Sequence, residues 1–496
     1  MTMKKILYFI AIAILISGCT NLDETLYDKI SGDNYPENDD QVANLTVEAY
    51  TQLQNMVDDN GWWFLAQEIS SDEMCCPTRD TDWDDGGKWR TVHQQSWGTS
   101  NDFEAVNNMW SLMWGGVTTA NQIIDRFRMM EASESVLKKQ AEMETFRSFF
   151  YYLLIDNFGD VPYLTTTVDA PEQPTKVARA AIFDSLTTTI ERNLPYLSAS
   201  TSNKTMVTKA TAFAILAKLY LNAEVYTGTP RWQEAYNYCD SLIIPNGFPF
   251  GSDISAPFVT ENSTNGEIIF SIPYDETTFQ GFRLHMRCIH YQSKYTFNMT
   301  VEPWNGFATL EAFYDSYENN DLRKSAWFLS GQQYYYNSSE IILDALTGNP
   351  LIFNKEIPAL QLNSTYDRDV IRSSGIRPCK YEITPGALEN LSNDFVIFRI
   401  TDFYLMRAEA AIRLGQNGDA DLNMIRQRAG VADISGATLD DVLAERGREM
   451  FSEGHRRQDL IRFGEWNKDW WEKPARTGTD IFPIPKWAID ENPNLQ

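Results

Sequence analysis

Over residues 103–130 and 136–158, apolar side chains recur at three- and four-residue spacing, which predicts helices with a buried face. The same spacing predicts a helix over 177–197, "VARAAIFDSLTTTIERNLPYL". Two further segments read as helical hairpins. The first runs from Thr208 to Ile243; small and large apolar residues alternate at Ala212, Ala214, Leu216, Ala217, Leu219 and Tyr220, and Gly228 and Pro230 mark its turn. The second runs from Phe398 to Gly430, with Gly415 and Gly418 between its helices. A hairpin of about 34 residues with small residues at the crossing is the tetratricopeptide build. Residues 245–395 break this pattern. Gly, Pro, Asn, Ser, Thr and aromatics dominate there, and only "EIIFSIPY" (267–274) reads as a short strand. The predicted fold class is therefore mainly α. Helix pairs over 103–244 and 396–465 carry a loop-rich insertion over 245–395 with short β segments.

The N-terminus follows a different rule. Lys4 and Lys5 precede an unbroken apolar run of eleven residues, Ile6 to Ile16. That run is too short to span a bilayer as a helix and suits a signal peptide core. Ile16-Ser17-Gly18-Cys19 then resembles a bacterial lipobox, in which the cysteine becomes the lipidated first residue of the mature chain. Thr20, not Asp, follows, so the usual inner-membrane retention signal is absent. The expected organisation is a signal peptide over 1–18, a polar tether over 19–41 and a single body over 42–496. Acyl methylenes at roughly 0.8 kcal/mol each would hold the protein to a membrane.

Charge narrows the partners. The chain carries 42 Lys and Arg against 68 Asp and Glu, and loss of the two leader lysines takes the net charge from −26 to −28. Such a surface repels nucleic acid and anionic polymers at long range. Beyond Cys19 there are five cysteines, Cys75, Cys76, Cys239, Cys288 and Cys379. An odd number argues against a complete disulfide framework and leaves one bridge open. Cys239 lies in a helical pattern and reads as a small core residue.

Catalytic patterns are weak. The four histidines, His93, His285, His290 and His455, form no metal-binding motif, and His455 reads as structural. Asp80, Asp82 and Asp84 have calcium-loop spacing, but Asp85 and Thr91 stand where such a loop needs Gly and Glu. No cofactor, metal or enzymatic activity is expected. Sugar binding is better supported. A sugar ring has a face of C–H groups and a rim of hydroxyls, so it calls for an aromatic platform edged by acids, amides or arginines. "RDTDWDDGGKWRTVHQQSW" (79–97) places three tryptophans in a polar, turn-rich loop. Trp83, flanked by Asp82 and Asp84 and hinged by Gly86-Gly87, is the expected platform, whereas Trp89 and Trp97 are expected to anchor the loop. Asp72 and Arg79 lie just upstream. A second aromatic stretch over 279–307 offers Tyr291, Tyr295 and Trp304-Asn305-Gly306, and Arg377 is a candidate to bond two adjacent hydroxyls.

Four segments in order carry a family resemblance: "FRSFFYYLLIDNFGDVPY" (146–163), "FYLMRAEAAIRLG" with "ADLNMIRQRAG", "ERGREMFSEGHRRQDLIRFGEW" (445–466) and "IFPIPKWAIDENPNL" (481–495). Behind a lipobox, this set resembles the SusD/RagB family of outer-membrane lipoproteins from Bacteroides-type bacteria. The sequence departs from the pattern in stopping at Gln496, where many members run slightly further. The resemblance implies a right-handed superhelix of tetratricopeptide-like helix pairs. It implies a SusC-like TonB-dependent transporter as partner, under a lipid-anchored lid facing the cell exterior. It implies an oligosaccharide ligand without catalysis; the alternatives are peptide, as in the RagB branch, and a purely structural lid. The acidic surface favours a neutral glycan.

Overall fold

A computed structural model describes residues 39–97, 103–245 and 247–496. Cys19 and the leader fall outside the described residues. The chain divides into two units, Met1–Leu45 and Thr46–Gln496. Within the first, the described residues belong to the helix Asp39–Thr51. All that follows concerns the second.

Its frame is a series of packed helix pairs. Helix Glu104–Met129 lies on Glu134–Phe158, which packs in turn on Arg179–Asn193. Lys209–Leu221 pairs with Trp232–Ile243, and the latter packs on Ile400–Arg413. Asp419–Arg428 and Leu439–Met450 complete the series against Ile400–Arg413. These are the hairpins that the apolar spacing predicts. The local chemistry explains their bounds. Thr208 caps its helix in a reciprocal box with Thr211, and the Ser133 hydroxyl accepts the Val136 N–H. Ala212, Ala214 and Ala217 are fully buried, so small side chains set the close helix approach. Gly116 does the same elsewhere: a Cβ there would lie 2.4 Å from the Phe150 ring.

Among its described residues the insertion contributes short strands and short helices such as Leu284–Cys288 and Arg368–Ser373. Ile268–Ile272 pairs antiparallel with Phe395–Arg399, with bulges along the latter, and every residue of both is buried. Met74–Cys75 pairs with Ala308–Thr309, and Thr78–Arg79 runs parallel to Gln361–Leu362. Phe328–Leu329 pairs with Arg377–Pro378. The segment 79–97 is more regular than a plain loop. It contains a 3-10 turn at Asp85–Gly87 and a helix at Lys88–His93. Trp97 is buried against Phe482, ring centroids 4.7 Å apart, as an anchor should be.

Buried charge holds the C-terminal helices together. Glu449 pairs with Arg323 at 3.0 Å, Arg399 at 3.0 Å and Arg428 at 2.6 Å. Burial alone would raise the Glu449 carboxyl, but these three guanidiniums hold it well below the usual carboxylate range. Arg446 bridges Asp402 and Asp459, each at 2.8 Å. His455 lies 3.2 Å from the Lys218 ammonium; burial first, and that cation second, keep the imidazole neutral and its pKa down to about 3. Its role is structural. Cys75, Cys76, Cys239, Cys288 and Cys379 are all free thiols, which closes the question of a bridge among them.

Candidate functional site

The sequence expectation centres on Trp83, and the structure gives it an unusual setting. Its backbone is left-handed, φ 60°, which few bulky side chains adopt. Reciprocal backbone hydrogen bonds between Arg79 and Asp82 close the turn before it. The indole N–H donates to the Trp304 carbonyl at 2.7 Å and so ties the loop to the second aromatic stretch. The ring lies over Gly306, where a Cβ would come within 2.5 Å of it. Trp89 and Phe307 flank it, with centroids 5.5 and 5.6 Å away. Trp83 is therefore half-buried in a ring cluster, more structural than its aspartate neighbours imply. Trp89 is the buried anchor of that cluster, and its indole N–H donates to Asp85 at 2.7 Å.

Trp304 stands across from it on its own support. The Arg283 and Arg287 guanidiniums lie 5.6 and 5.4 Å from its ring centroid. Both arginines converge on Asp58: Arg287 at 2.5 Å, and Arg283 through Nε at 3.0 Å and through a second, shorter contact. Arg287 also reaches Asp59 at 3.0 Å. Tyr291 completes the arc. Its hydroxyl donates to Asp82, and the Arg372 guanidinium sits 4.7 Å from its ring centroid. Burial, with the neighbouring Asp82 carboxylate, pushes the phenol up to about 12, so it remains a donor.

Trp83, Trp304, Tyr291 and Asp82, with both arginines and Asp59, line a cleft of about 550 Å³, a size that suits a small ligand. Asp82, Trp83, Tyr291 and Trp304 are thus brought together from two stretches of chain. Asp85, Trp89 and Pro303 also line the cleft. The sequence reading missed Asp59, Lys88, Arg283, Arg287 and Glu302, which line it too. Their only signal was charge beside aromatics, as in "FRLHMR" (282–287), and that pattern is common.

The other candidates lie elsewhere, for identifiable reasons. Arg79 is buried, and its donors go to the Ile371 and Ser374 carbonyls at 2.8 and 3.0 Å. Arg377 is fully buried and donates to the Ser374 and Gly375 carbonyls and to Asn305 Oδ1. Asn305 in turn donates to the Arg372 carbonyl at 3.0 Å. These three brace the cleft wall from behind and have no face toward it. Asp84 pairs with Arg90 at 2.8 Å and stiffens the loop. Asp72 is held in a two-point pair with Arg456, at 2.7 and 2.8 Å, within the helical frame. Tyr295 is exposed beside Tyr335 and is not among the lining residues. All four histidines are buried and none lines the cleft; burial brings His93, His285 and His290 down to about 4.

Comparison with known proteins agrees with this architecture. A profile described as "SusD family" matches residues 267–480, and one described as "Starch-binding associating with outer membrane" matches residues 24–221. The starch-binding protein SusD of Bacteroides thetaiotaomicron is 24% identical over 432 residues, which span 76% of this chain and 75% of that protein. The surface glycan-binding protein A from Bacteroides fluxus superposes with a TM-score of 0.74 at 19% identity, covering 92% of this chain and 97% of that one. The counterpart from Bacteroides thetaiotaomicron in complex with laminarihexaose gives a TM-score of 0.72 at 18% identity, covering 92% and 98%. At that identity the two structures speak for the fold, a mainly helical superhelix of tetratricopeptide-like pairs with short strands. The two profiles together take in both walls of the cleft and the ionic frame behind it, and the chain belongs to the SusD family.

Proposed function

We propose that the aromatic cleft captures a neutral oligosaccharide and holds it without chemical change. The observation that carries this reading is the convergence of Trp83, Trp304 and Tyr291 with the Asp82 carboxylate in one open cleft. A ring covers the C–H face of a sugar unit, and carboxylates and guanidiniums take the hydroxyl rim. Covering roughly 60–100 Å² at about 25 cal/mol/Å² contributes on the order of 1.5–2.5 kcal/mol per ring before entropy is lost. Two such rings and a few hydrogen bonds reach micromolar to millimolar affinity, which suits a protein that passes its ligand on. Asp58 fixes Arg283 and Arg287 in advance, so little side-chain freedom is lost on binding. A starch-binding relative and a structural counterpart in complex with laminarihexaose support a glycan ligand over the peptide alternative.

The wider assignment rests on the family and on the N-terminal motif. Cys19 anchors the protein by lipid to the outer membrane, facing outward, and the bound glycan passes to a SusC-like TonB-dependent barrel. Residues 1–18 are removed, and 42–496 act as one body.

Affinity electrophoresis in gels containing neutral glucans tests the site. Trp304→Ala and Trp83→Ala are each expected to weaken retention about tenfold, the equivalent of losing one platform. Unchanged retention in both variants would move the site elsewhere. Mild-detergent purification tests the partner: co-recovery of a much larger membrane protein is expected, and recovery of this chain alone refutes it. Cys19→Ala is expected to release the protein from membranes.

A further inference from the structure

A second cavity of about 610 Å³ lies next to the aromatic cleft. Arg283 lines both, and the adjacent acids Asp58 and Asp59 are divided between them. The two cavities have opposite chemistry. No aromatic ring lines the second one; five side-chain amides do, Gln54, Asn55, Asn60, Gln280 and Asn390. An amide offers a donor and an acceptor on one planar group, which matches a sugar hydroxyl. Much of this capacity is unspent. Gln54 Nε2 donates to the Gln280 carbonyl at 2.6 Å, leaving its oxygen. Asn390 Oδ1 accepts the Gly281 N–H at 3.0 Å, leaving its amino group. Asn55 and Asn60 are exposed and make no side-chain hydrogen bond among the described residues.

We propose that this ring-free cavity is a second carbohydrate subsite, which takes the hydroxyl-rich end or branch of a neutral oligosaccharide whose other units stack in the cleft. The inference rests on the cleft reading above. Hydrogen bonds to hydroxyls exchange with water almost evenly, so an amide cavity holds a free sugar poorly. Once stacked units tether the chain, the same hydrogen bonds form within one complex and their contribution appears in full. The cleft then supplies affinity, and the amide cavity reads chain length and hydroxyl pattern. Arg283 is a rigid partition between them, held by Asp58 on one side and 3.4 Å from Glu389 on the other. Asp58, Glu276 and Glu389 outnumber that single cation in the second cavity, which excludes uronate and sulfate groups.

The test uses the mature protein, with α-1,4 and β-1,3 glucan oligosaccharides of two and six units as probes in calorimetry. Asn55→Ala/Asn60→Ala removes two exposed amides without touching a hydrogen bond of the fold, so its melt should match the parent. The six-unit ligand is expected to bind this variant about tenfold more weakly, with two-unit binding unchanged. Asn60→Trp, which fills the cavity, should give the same selective loss. Equal binding of the six-unit ligand by parent and both variants overturns the inference while leaving the cleft reading intact, since Trp304→Ala reports on that alone. Parallel loss for both lengths also overturns it, because the cavity is then no separate subsite. Failure of every probe to bind the parent removes the cleft reading and this inference together.

Discussion

Helix Leu439–Met450 and the loop 79–97 are both crowded with charge, yet their charges behave in opposite ways. In the helix, Glu445, Arg446 and Glu449 are buried and enclosed by opposite partners. In the loop, Asp82 and Asp85 are exposed, and each accepts one hydrogen bond from an aromatic side chain, which leaves acceptor capacity over. The frame consumes its charge internally, and the cleft keeps some in reserve. Net charge therefore says little about the site; local pairing decides what a carboxylate can still bind.

The strongest challenge to this contrast is to unpair the frame. Glu449→Ala leaves the Arg323, Arg399 and Arg428 guanidiniums short of a shared partner in a buried setting. We expect a loss of about 3–5 kcal/mol, since removing one member of a buried ion network strands the others. Trp304→Ala should melt much closer to the parent, because its ring is only half-buried. Thermal melts of the two variants decide the matter, and a reversed order would break the comparison.

A smaller effect probes the border between the two regions. Gly306→Ala sets a methyl 2.5 Å from the Trp83 ring, so the ring must shift. Overpacking of this kind costs roughly 1–3 kcal/mol. The expected outcome is weaker glucan retention with a modestly lower melt, measured on the same preparation. Full retention would show that the Trp83 position is not what binds.

The smallest effect is a pH dependence at the edge of the frame. Burial raises the Asp394 carboxyl to about 6, and only the Ser271 hydroxyl at 2.8 Å opposes the shift. A carboxyl with a raised folded pKa favours the folded state fully below its unfolded value, near 4. That contribution is lost as pH rises through about 6. The parent should lose stability between pH 4.5 and 7.5 relative to Asp394→Asn. Parallel melting curves for the two proteins would remove Asp394 as the cause.

The fold was largely legible because its signals are local. Apolar spacing along 103–158 and the small residues of 208–221 mark helices that the structure contains within a few residues. Part of the candidate site was legible for the converse reason: Trp83, Tyr291 and Trp304 stand in polar, turn-rich stretches where a core needs no ring. What escaped depends on partners that the local pattern does not reveal. Arg79 and Arg377 look like free cations until the turn at Ser374 supplies carbonyls to both. Asp72 looks available until Arg456, 384 residues away, takes it. Arg283 and Arg287 look like ordinary charges in a loop-rich stretch until Asp58 gathers them beside Trp304. The short helix at Lys88–His93 has too few residues to show a period.

The two-residue strands that stitch Met74–Cys75 to Ala308–Thr309, and Thr78–Arg79 to Gln361–Leu362, bear on the order of assembly. The Trp83–Trp304 hydrogen bond alone joins positions 221 residues apart. Closing loops of that length carries a large entropy cost before any contact rewards it, and topologies built on such closures fold slowly. The helical hairpins, whose two helices are neighbours in sequence, have no such delay. After dilution from denaturant, helical circular dichroism should therefore return first and glucan binding last, in the slowest phase. A chain that ends before residue 362 should therefore form the helical hairpins that precede it and lack the strand that seats the 79–97 segment, so the candidate cleft is among the last parts of the molecule to assemble.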